Sequence, residues 1–288
     1  MAILVDFTPI IISAVNVGDK AFGEELTEGM IRHLALNMLL SFKKQFSNKY
    51  GKMIICVDSG NVWRKDIFPH YKFSRRKSRE DSPLDWEMIF KALKMITQEM
   101  KDYLPYHIIE VERCEADDII GTLVEYFYNN ELNQNGIDFE PQKNIIISRD
   151  KDFKQLHSMY VVQWNPTEKK WIRELSPKNF LIEQIIRGDS SDGVPNILSS
   201  DDCFVLKTRQ KAVRQTLVES IIQTGVPIEH TENWERNKKL IDLSMIPQEY
   251  KDKIINTYKN YKPQYKSKLL TYIVDKQLKN MYDNIQYF

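Results

Sequence analysis

Acidic residues follow four apolar segments that have the pattern of buried β-strands. In the segment 144–156, the run Ile145–Ile147 is followed within a few residues by Asp150 and Asp152. The other three segments end in the same way, at Asp6, at Asp58 and at the group Glu115, Asp117 and Asp118. An acidic residue after one strand is commonly a turn or helix-cap residue. Because the pattern recurs at four successive strand ends, a shared function is favoured over four separate caps.

A mainly parallel sheet would bring these acidic residues together. We predict strands at 2–5, 53–57, 106–112, 145–147 and 159–164, alternating with helices at 26–46, from 83 onward and at 113–130. This alternation predicts an α/β fold with a mainly parallel sheet. In an open parallel sheet, ligands bind beyond the carboxyl ends of the strands. The acidic residues are therefore expected to meet at that edge.

The strand pattern fades after about residue 187. Segments 207–222 and 265–284 have helical patterns and are rich in lysine. We therefore predict two domains. An α/β domain at 1–186 contains a basic segment at about 60–82 that lacks periodicity, and a mostly helical domain follows at 187–288.

A cluster of six or seven carboxylates needs cations, because like charges in a partly dry cleft repel strongly. Mg²⁺ keeps several waters and takes only one or two carboxylates per ion, so a cluster of this size indicates two metal positions. None of the acidic motifs contains histidine, which favours magnesium or manganese over zinc.

The basic segment supplies the opposite charge. It contains seven cations with interleaved aromatic residues: Arg64, Lys65, Lys72, Arg75, Arg76, Lys77 and Arg79, with Trp63, Phe68, Tyr71 and Phe73. Basic side chains neutralise phosphates, and aromatic rings stack on unpaired bases. A charge run alone is usually a solvated surface, but this one directly follows Asp58. Carboxylates below and cations above suit metal-dependent hydrolysis of a phosphodiester.

Several motifs, taken together, resemble those of the 5′-nuclease or flap-endonuclease superfamily. They are EADD at 115–118, SRDKDF at 148–153, GDSSDGVP at 188–195 and a Y-K-x-x-R element at 71–75. Within that superfamily the chain is most similar to the bacteriophage RNases H of the T-even type, over nearly its whole length. The resemblance implies a PIN-like nuclease core, a flexible arch over the active site, and a C-terminal helical region that grips duplex DNA.

The resemblance also implies an activity and a set of roles. The activity is that of a 5′-to-3′ exonuclease and flap endonuclease on RNA·DNA and DNA·DNA duplexes, which removes RNA primers from lagging-strand fragments with two Mg²⁺ ions, or Mn²⁺ in their place. The resemblance implies catalytic roles for Asp150 and Asp152, and contacts of Lys72 and Arg75 with the scissile phosphate. The implied metal ligands are Asp6, Asp58, Glu115, Asp117 and Asp118 for the first ion, and Asp150, Asp152, Asp189 and Asp192 for the second.

One segment departs from the family pattern. Many members follow the G-D-x-x-D element with a glycine-rich hairpin that grips the duplex and often binds a monovalent ion, but residues 197–207 contain no glycine. Glycine allows backbone amides to approach phosphate closely. Duplex contacts would then be made by four other cations: Lys207, Arg209, Lys211 and Arg214. Alternatively, these four residues form only the solvated face of a helix.

Three other classes of protein are alternatives to a nuclease of this superfamily. A haloacid-dehalogenase-like phosphatase requires a D-x-D motif after its first strand. Here Asp6 is followed by Phe7 and Thr8, so this motif is not present. A non-catalytic nucleic-acid-binding scaffold gains nothing from clustered carboxylates. A sequence-specific ribonuclease of the PIN type is usually much shorter than this chain. A metal-dependent cleavage assay separates these alternatives.

Composition adds few constraints. The net charge is +1, there are three cysteines without a C-x-x-C pair, and no basic leader or long apolar span is present. We therefore expect a monomer in a reducing, cytoplasmic compartment, that of an infected bacterium if the chain is phage-encoded. The sequence does not specify a single-strand-binding protein or a sliding clamp as a partner. Residues 284–288, NIQYF, have two interpretations, a clamp-docking tail or a frayed helix end.

Overall fold

A six-stranded sheet lies at the centre of the computed structural model, which describes residues 1–22, 27–135 and 142–288. Its strand order is β3-β2-β1-β4-β5-β6. The strands are β1 (Ala2–Asp6), β2 (Lys52–Val57), β3 (His107–Glu110), β4 (Asn144–Ile147), β5 (Val161–Asn165) and β6 (Lys170–Ile172). The first five strands are parallel and β6 is antiparallel to β5. The predicted mainly parallel sheet is confirmed, and β6, which is short and partly exposed, is the strand that the sequence pattern missed.

Twelve α-helices accompany the sheet in the described ranges. Those up to residue 135 are α1 (Phe7–Phe22), α2 (Glu28–Tyr50), α3 (Arg64–Ile67), α4 (Ser74–Glu80), α5 (Trp86–Tyr103) and α6 (Ala116–Asn135). The C-terminal part is mostly helical, with α7 (Pro177–Arg187), α8 (Gln215–Thr224), α9 (Thr231–Ile241), α10 (Gln248–Asn260), α11 (Lys266–Asp275) and α12 (Lys279–Tyr282).

The central strands are buried on both faces. Successive strand residues point to opposite sides, so Ile3 and Val5 pack into one apolar core and Leu4 into the other. The first core includes side chains of α1, α2, α5 and α11. The second includes side chains of α6 and α10. Helices on both faces leave the strand ends as the place where polar side chains can gather.

Several predicted helix boundaries were wrong. Helix α5 begins at Trp86, not after Ser82, because the Asp85 carboxylate accepts a hydrogen bond from the Met88 amide at 2.9 Å. Helix α1 was missed because it follows β1 without an intervening loop and has a proline, Pro9, in its first turn. The basic segment 60–82, which shows no periodicity in sequence, contains two short helices, α3 and α4.

Two C-terminal helices are also shorter than predicted. Residues 207–214 are not helical, because Asn196 binds the Lys211 carbonyl at 2.8 Å and holds this segment against its neighbours. The predicted helix 265–284 is divided into α11 and α12, and the left-handed backbone of Gln277, with φ 54°, lies at the break.

The side chain of Phe288 is buried and stacks on Tyr106 with ring centroids 5.8 Å apart. Residues 284–288 are therefore not a frayed end, and this aromatic ring is not exposed for docking. The three cysteines, Cys56, Cys114 and Cys203, are free and buried. No helix in the described ranges is long and apolar enough to cross a membrane.

Candidate active site

The carboxyl ends of three neighbouring strands carry the first acidic residues. Strand β1 lies between β2 and β4, and its last residue, Asp6, is in register with Cys56. Asp58 follows β2 and Asp150 follows β4, so the three side chains lie at the same edge. Parallel pairing thus produces the convergence that the sequence predicted.

Asp6 is at the bottom of this cluster and is almost fully buried. One carboxylate oxygen accepts a hydrogen bond of 2.7 Å from the Ser148 hydroxyl. The other oxygen, Oδ1, has no hydrogen-bond partner among the described residues. Burial, and then the charges of Asp58 and Asp150, raise the pKa of Asp6 well above its ordinary value. A bound cation would satisfy the free oxygen and favour the ionised form.

The first turn of α6 places two further carboxylates beside Asp58. The Asp58 side chain accepts a hydrogen bond of 2.8 Å from the amide of Ala116, which holds it against the start of the helix. Burial, followed by the charges of Asp150 and Asp6, raises the pKa of Asp117 well above its ordinary value. Although burial opposes it, Lys72 and Arg64 lower the pKa of Glu115 to about 2. Glu115 is therefore ionised, whereas the ionised form of Asp117 is disfavoured by its surroundings.

Asp118 and Arg64 do not lie where the sequence placed them. Asp118 is fully buried and pairs with the Arg64 guanidinium at 2.8 Å. Arg64 is itself only 3% exposed. Asp118 is thus turned away from the cleft instead of joining the predicted metal ligands, and Arg64 offers no exposed charge to a nucleic acid. The i and i+3 spacing of Glu115 and Asp118 could not reveal that the guanidinium lies between them.

The Y-K-x-x-R element closes over the acidic cluster. The Lys72 ammonium pairs with Glu115 and lies 3.5 Å from Asp192. Arg75 pairs with Asp192 at 2.6 Å. The Tyr71 hydroxyl lies 2.9 Å from a carboxylate oxygen of each of these two acids. Two cations and a phenol therefore bridge the start of α6 and the loop that contains Asp192.

A second acidic group lies next to the first. Asp150 accepts a hydrogen bond of 2.9 Å from the amide of Asp152, and Gln184 donates to the Asp152 carboxylate. Burial, with the charges of Asp150 and Asp189, raises the pKa of Asp152 to about 8. Gln184 comes from α7, and nothing in its sequence context marked it as part of the site.

The loop 189–194 supplies the last two acids. Its ends are joined by a bridge between Asp189 and Val194. Lys151 pairs with Asp189 at 3.0 Å. Burial opposes it, but hydrogen bonds from Ser191 and Lys151 lower the pKa of Asp189. Asp189 is therefore ionised and lies within reach of the second acidic group.

These elements surround a narrow cleft. Its lining combines acidic, basic and apolar side chains from both parts of the chain: Arg64, Tyr71, Asp117, Asp152, Asp189, Asp192, Val194, Leu240, Ile241 and Leu243. The carboxylate oxygens are ligands of the kind that hard divalent cations prefer. Within residues 1–22, 27–135 and 142–288, however, no three acidic side chains are already drawn together as a metal centre. Lys72 lies among them as a counterion.

The remaining predicted nucleic-acid contacts lie on the surface. Apart from Arg64, Tyr71 and Lys72, these side chains are exposed: Lys65, Arg75, Arg76, Lys77, Arg79, Lys207, Arg209, Lys211 and Arg214. The last four do not form a helix face, because they precede or cap α8.

Comparison with known proteins identifies this arrangement. Residues 24–184 match the model of the 5′-3′ exonuclease N-terminal resolvase-like domain, and residues 176–288 match that of the T4 RNase H C-terminal region. The fold and the acidic cleft thus define a nuclease with a resolvase-like core. The chain belongs to the 5′-3′ exonuclease family. For a member of this family, neither of the alternative classes, a phosphatase or a non-catalytic nucleic-acid-binding scaffold, is favoured.

Individual relatives support this assignment. The chain is 32% identical to the ribonuclease H of Enterobacteria phage T4, over 99% of this chain and 95% of that protein. It is 26% identical to the flap endonuclease Xni of Shewanella woodyi, over 66% of this chain and 72% of the relative.

Solved structures show the same fold at low identity. The T5 D15 protein co-crystallized with metal ions has a TM-score of 0.62 and 16% identity, over 90% of this chain and 98% of that one. A T5 D15 flap endonuclease complex with DNA and metal ions also has a TM-score of 0.62 and 16% identity, over 90% and 97% of the two chains.

Proposed function

We propose that this protein is a divalent-metal-dependent 5′-to-3′ exonuclease and flap endonuclease with RNase H activity, which removes RNA primers during lagging-strand replication. The observation that carries the proposal is the convergence of acidic residues from three strand ends beneath Lys72 and Arg75. The names of the relatives, a ribonuclease H and a flap endonuclease, support this substrate class. So does the DNA in the T5 complex.

Two Mg²⁺ ions suit the oxygen donors of the cleft, and Mn²⁺ can replace them. The free Oδ1 of buried Asp6 supports a cation at the first position. We assign Asp6, Asp58, Glu115 and Asp117 to the first position, and Asp150, Asp152, Asp189 and Asp192 to the second. Asp118 is left out of this set because Arg64 holds its carboxylate in the interior. Bound ions supply a water of lowered pKa and stabilise charge on the attacking and leaving oxygens.

The chain's own cations bind the scissile phosphate in this proposal. Lys72 and Arg75 are paired with carboxylates across the cleft, so each is already held near the reacting group. When a phosphodiester enters, they exchange carboxylate partners for non-bridging phosphate oxygens, where they stabilise the developing charge. Preorganised donors of this kind need little rearrangement during the reaction.

The duplex would contact both predicted parts of the chain, 1–186 and 187–288. Exposed cations from α3, α4 and residues 207–214 form the surface that we propose for phosphate contacts. Such contacts position the duplex without reading its sequence. Arg64 is not part of this surface, because it is buried.

A cleavage assay tests the proposal. RNA·DNA hybrid, double-stranded DNA and 5′-flap DNA, each labelled at the 5′ end, are incubated with Mg²⁺, with Mn²⁺ and with a chelator. We expect short 5′-terminal products that carry 5′-phosphates, and no cleavage with the chelator. Intact substrates under all metal conditions would contradict the proposed function, and the rates on the three substrates would rank RNase H, exonuclease and flap activities.

A further inference from the structure

Asp118 is held from inside the protein, mainly through one carboxylate oxygen, Oδ2, while Oδ1 has no hydrogen-bond partner among the described residues. Its carboxylate accepts hydrogen bonds from the Trp63 indole at 3.0 Å, from Arg64 at 3.0 Å and from the Glu115 amide at 2.9 Å. A second Arg64 nitrogen lies 2.8 Å from its other oxygen. Because Asp118 is fully buried and its Oδ2 is held in this way, its influence on the cleft passes through its neighbours.

Arg64 joins three segments that are distant in sequence. Its Nε donates to the carbonyl oxygen of Leu240, in α9, at 2.9 Å. Its Nη1 donates to Oε2 of Glu115 at 3.1 Å as well as to Asp118. A planar guanidinium can make these bonds together because its donors form a rigid fork, whereas a lysine ammonium is a single point charge.

The two oxygens of Glu115 are consequently different. Oε2 is held by Arg64 at 3.1 Å and by the Tyr71 hydroxyl at 2.9 Å. Oε1 is directed to Lys72, which lies among the acidic residues of the cleft. Fixing one oxygen in the interior leaves the other in a defined direction, and that second oxygen is the one available to a cation.

We propose that Arg64 and Asp118 are a positioning pair that orients the Glu115 carboxylate into the cleft for metal binding. The hydrogen bond from Arg64 to Leu240 fixes this orientation relative to the C-terminal helices. The inference rests on the proposed function, because it concerns the metal site of that same nuclease. Groups that orient metal ligands commonly change metal affinity or activity 10–100-fold when they are altered. Substitution of a buried ion pair that only supports the fold would change the stability of the protein but not its affinity for metal.

Two conservative variants test the pair from its two ends. Arg64→Lys keeps the charge but loses the fork, and Asp118→Asn keeps the shape but loses the charge. Arg32→Lys is the matched control, since Arg32 also makes a forked pair, with Glu99 at 2.7 and 3.1 Å, in a partly buried position between α2 and α5. Mn²⁺ binding is measured by titration calorimetry without nucleic acid, well below the melting temperature of each variant. Melting temperature, kcat and KM on an RNA·DNA hybrid are measured in parallel.

We expect folded Arg64→Lys and Asp118→Asn proteins that bind Mn²⁺ at least about 10-fold more weakly, with kcat lowered and KM for the hybrid nearly unchanged. Arg32→Lys should bind Mn²⁺ like the unaltered protein. Unchanged Mn²⁺ affinity in either folded variant would overturn the inference, as would failure of both variants to fold, because the pair would then serve the fold alone. If the unaltered protein binds Mn²⁺ but cleaves nothing, the proposed function fails and the positioning role is still decided by the titration.

Discussion

The backbone N–H of Lys72 donates a hydrogen bond of 2.7 Å to the carbonyl oxygen of Asp192. Lys72 has a left-handed backbone, with φ 58°, and its ammonium also lies 3.5 Å from the Asp192 carboxylate. The basic segment 60–82 is therefore attached to the loop 189–194 through both the main chain and the side chain of Lys72. As a result, Lys72 and Asp192, to which we assign phosphate and metal binding in the proposed function, are positioned by one contact.

Gly193 should be essential to that contact. It has φ +72°, and a Cβ atom at this position would lie 3.0 Å from the carbonyl oxygen of His70. Gly193→Ala should therefore destabilise the protein by about 1–2 kcal/mol through its left-handed backbone, with a further cost from the close approach. Urea unfolding measures the change. Gly60→Ala is the control, because nothing lies within 4 Å of its added Cβ, and an equal effect at both positions would contradict the argument.

Asp150→Asn should abolish cleavage and leave duplex binding intact. The amide oxygen can still accept the hydrogen bond that the Asp152 N–H now gives to Asp150 at 2.9 Å, so the local turn is retained. What is lost is the negative charge at the edge of the sheet. Gel-shift and cleavage assays on the same hybrid measure the two properties. Parallel loss of binding, cleavage and folded structure would mean that Asp150 supports the fold instead.

Lys72→Ala should lower both the cleavage rate and the stability of the metal-free protein. The ammonium is a buried counterion of Glu115 and Asp192, and its removal should cost about 1–3 kcal/mol in unfolding free energy. The sequence alone does not show that Lys72 is enclosed by these carboxylates. Denaturation with chelator and with Mg²⁺ measures the loss and its recovery by the metal. Full activity in Lys72→Ala would remove the phosphate-binding role.

The contribution of the acidic cluster to metal-free stability should fall as pH rises toward about 8. Asp152 has its pKa raised from 3.8 to about 8, so between these values the folded protein retains a proton that the unfolded chain has released. Burial, with neighbouring carboxylates, raises the pKa of Asp6 and Asp117 in the same direction. Divalent cations compete with these protons. Mg²⁺ should therefore raise the melting temperature more at about pH 8.5 than at about pH 5.

Melting curves with Mg²⁺ and with chelator, taken across this pH range, check the linkage. Asp152→Asn serves as the comparison, because it removes one of the titrating groups and should flatten the metal-free curve. A metal-free protein that gains stability relative to Asp152→Asn between about pH 5 and pH 8 would contradict the assigned sign.

The acidic edge could be predicted because it depends on local sequence. The apolar runs of β1, β2 and β4 predict buried parallel strands, and an acid directly after such a strand has only the carboxyl edge of the sheet in which to lie. The glycine-free segment 197–207 and the basic segment 60–82 were likewise visible as patterns of residue type.

Tertiary structure alone decided which charges face the cleft. Arg64 and Lys72 belong to the same basic run, yet one is buried against Asp118 and Leu240 while the other faces Glu115 and Asp192. Asp117 and Asp118 are adjacent in sequence, and a helix turns consecutive side chains about 100° apart. Whether each direction leads to interior or cleft depends on the segments packed against α6, which a pattern of residue types along the chain does not contain.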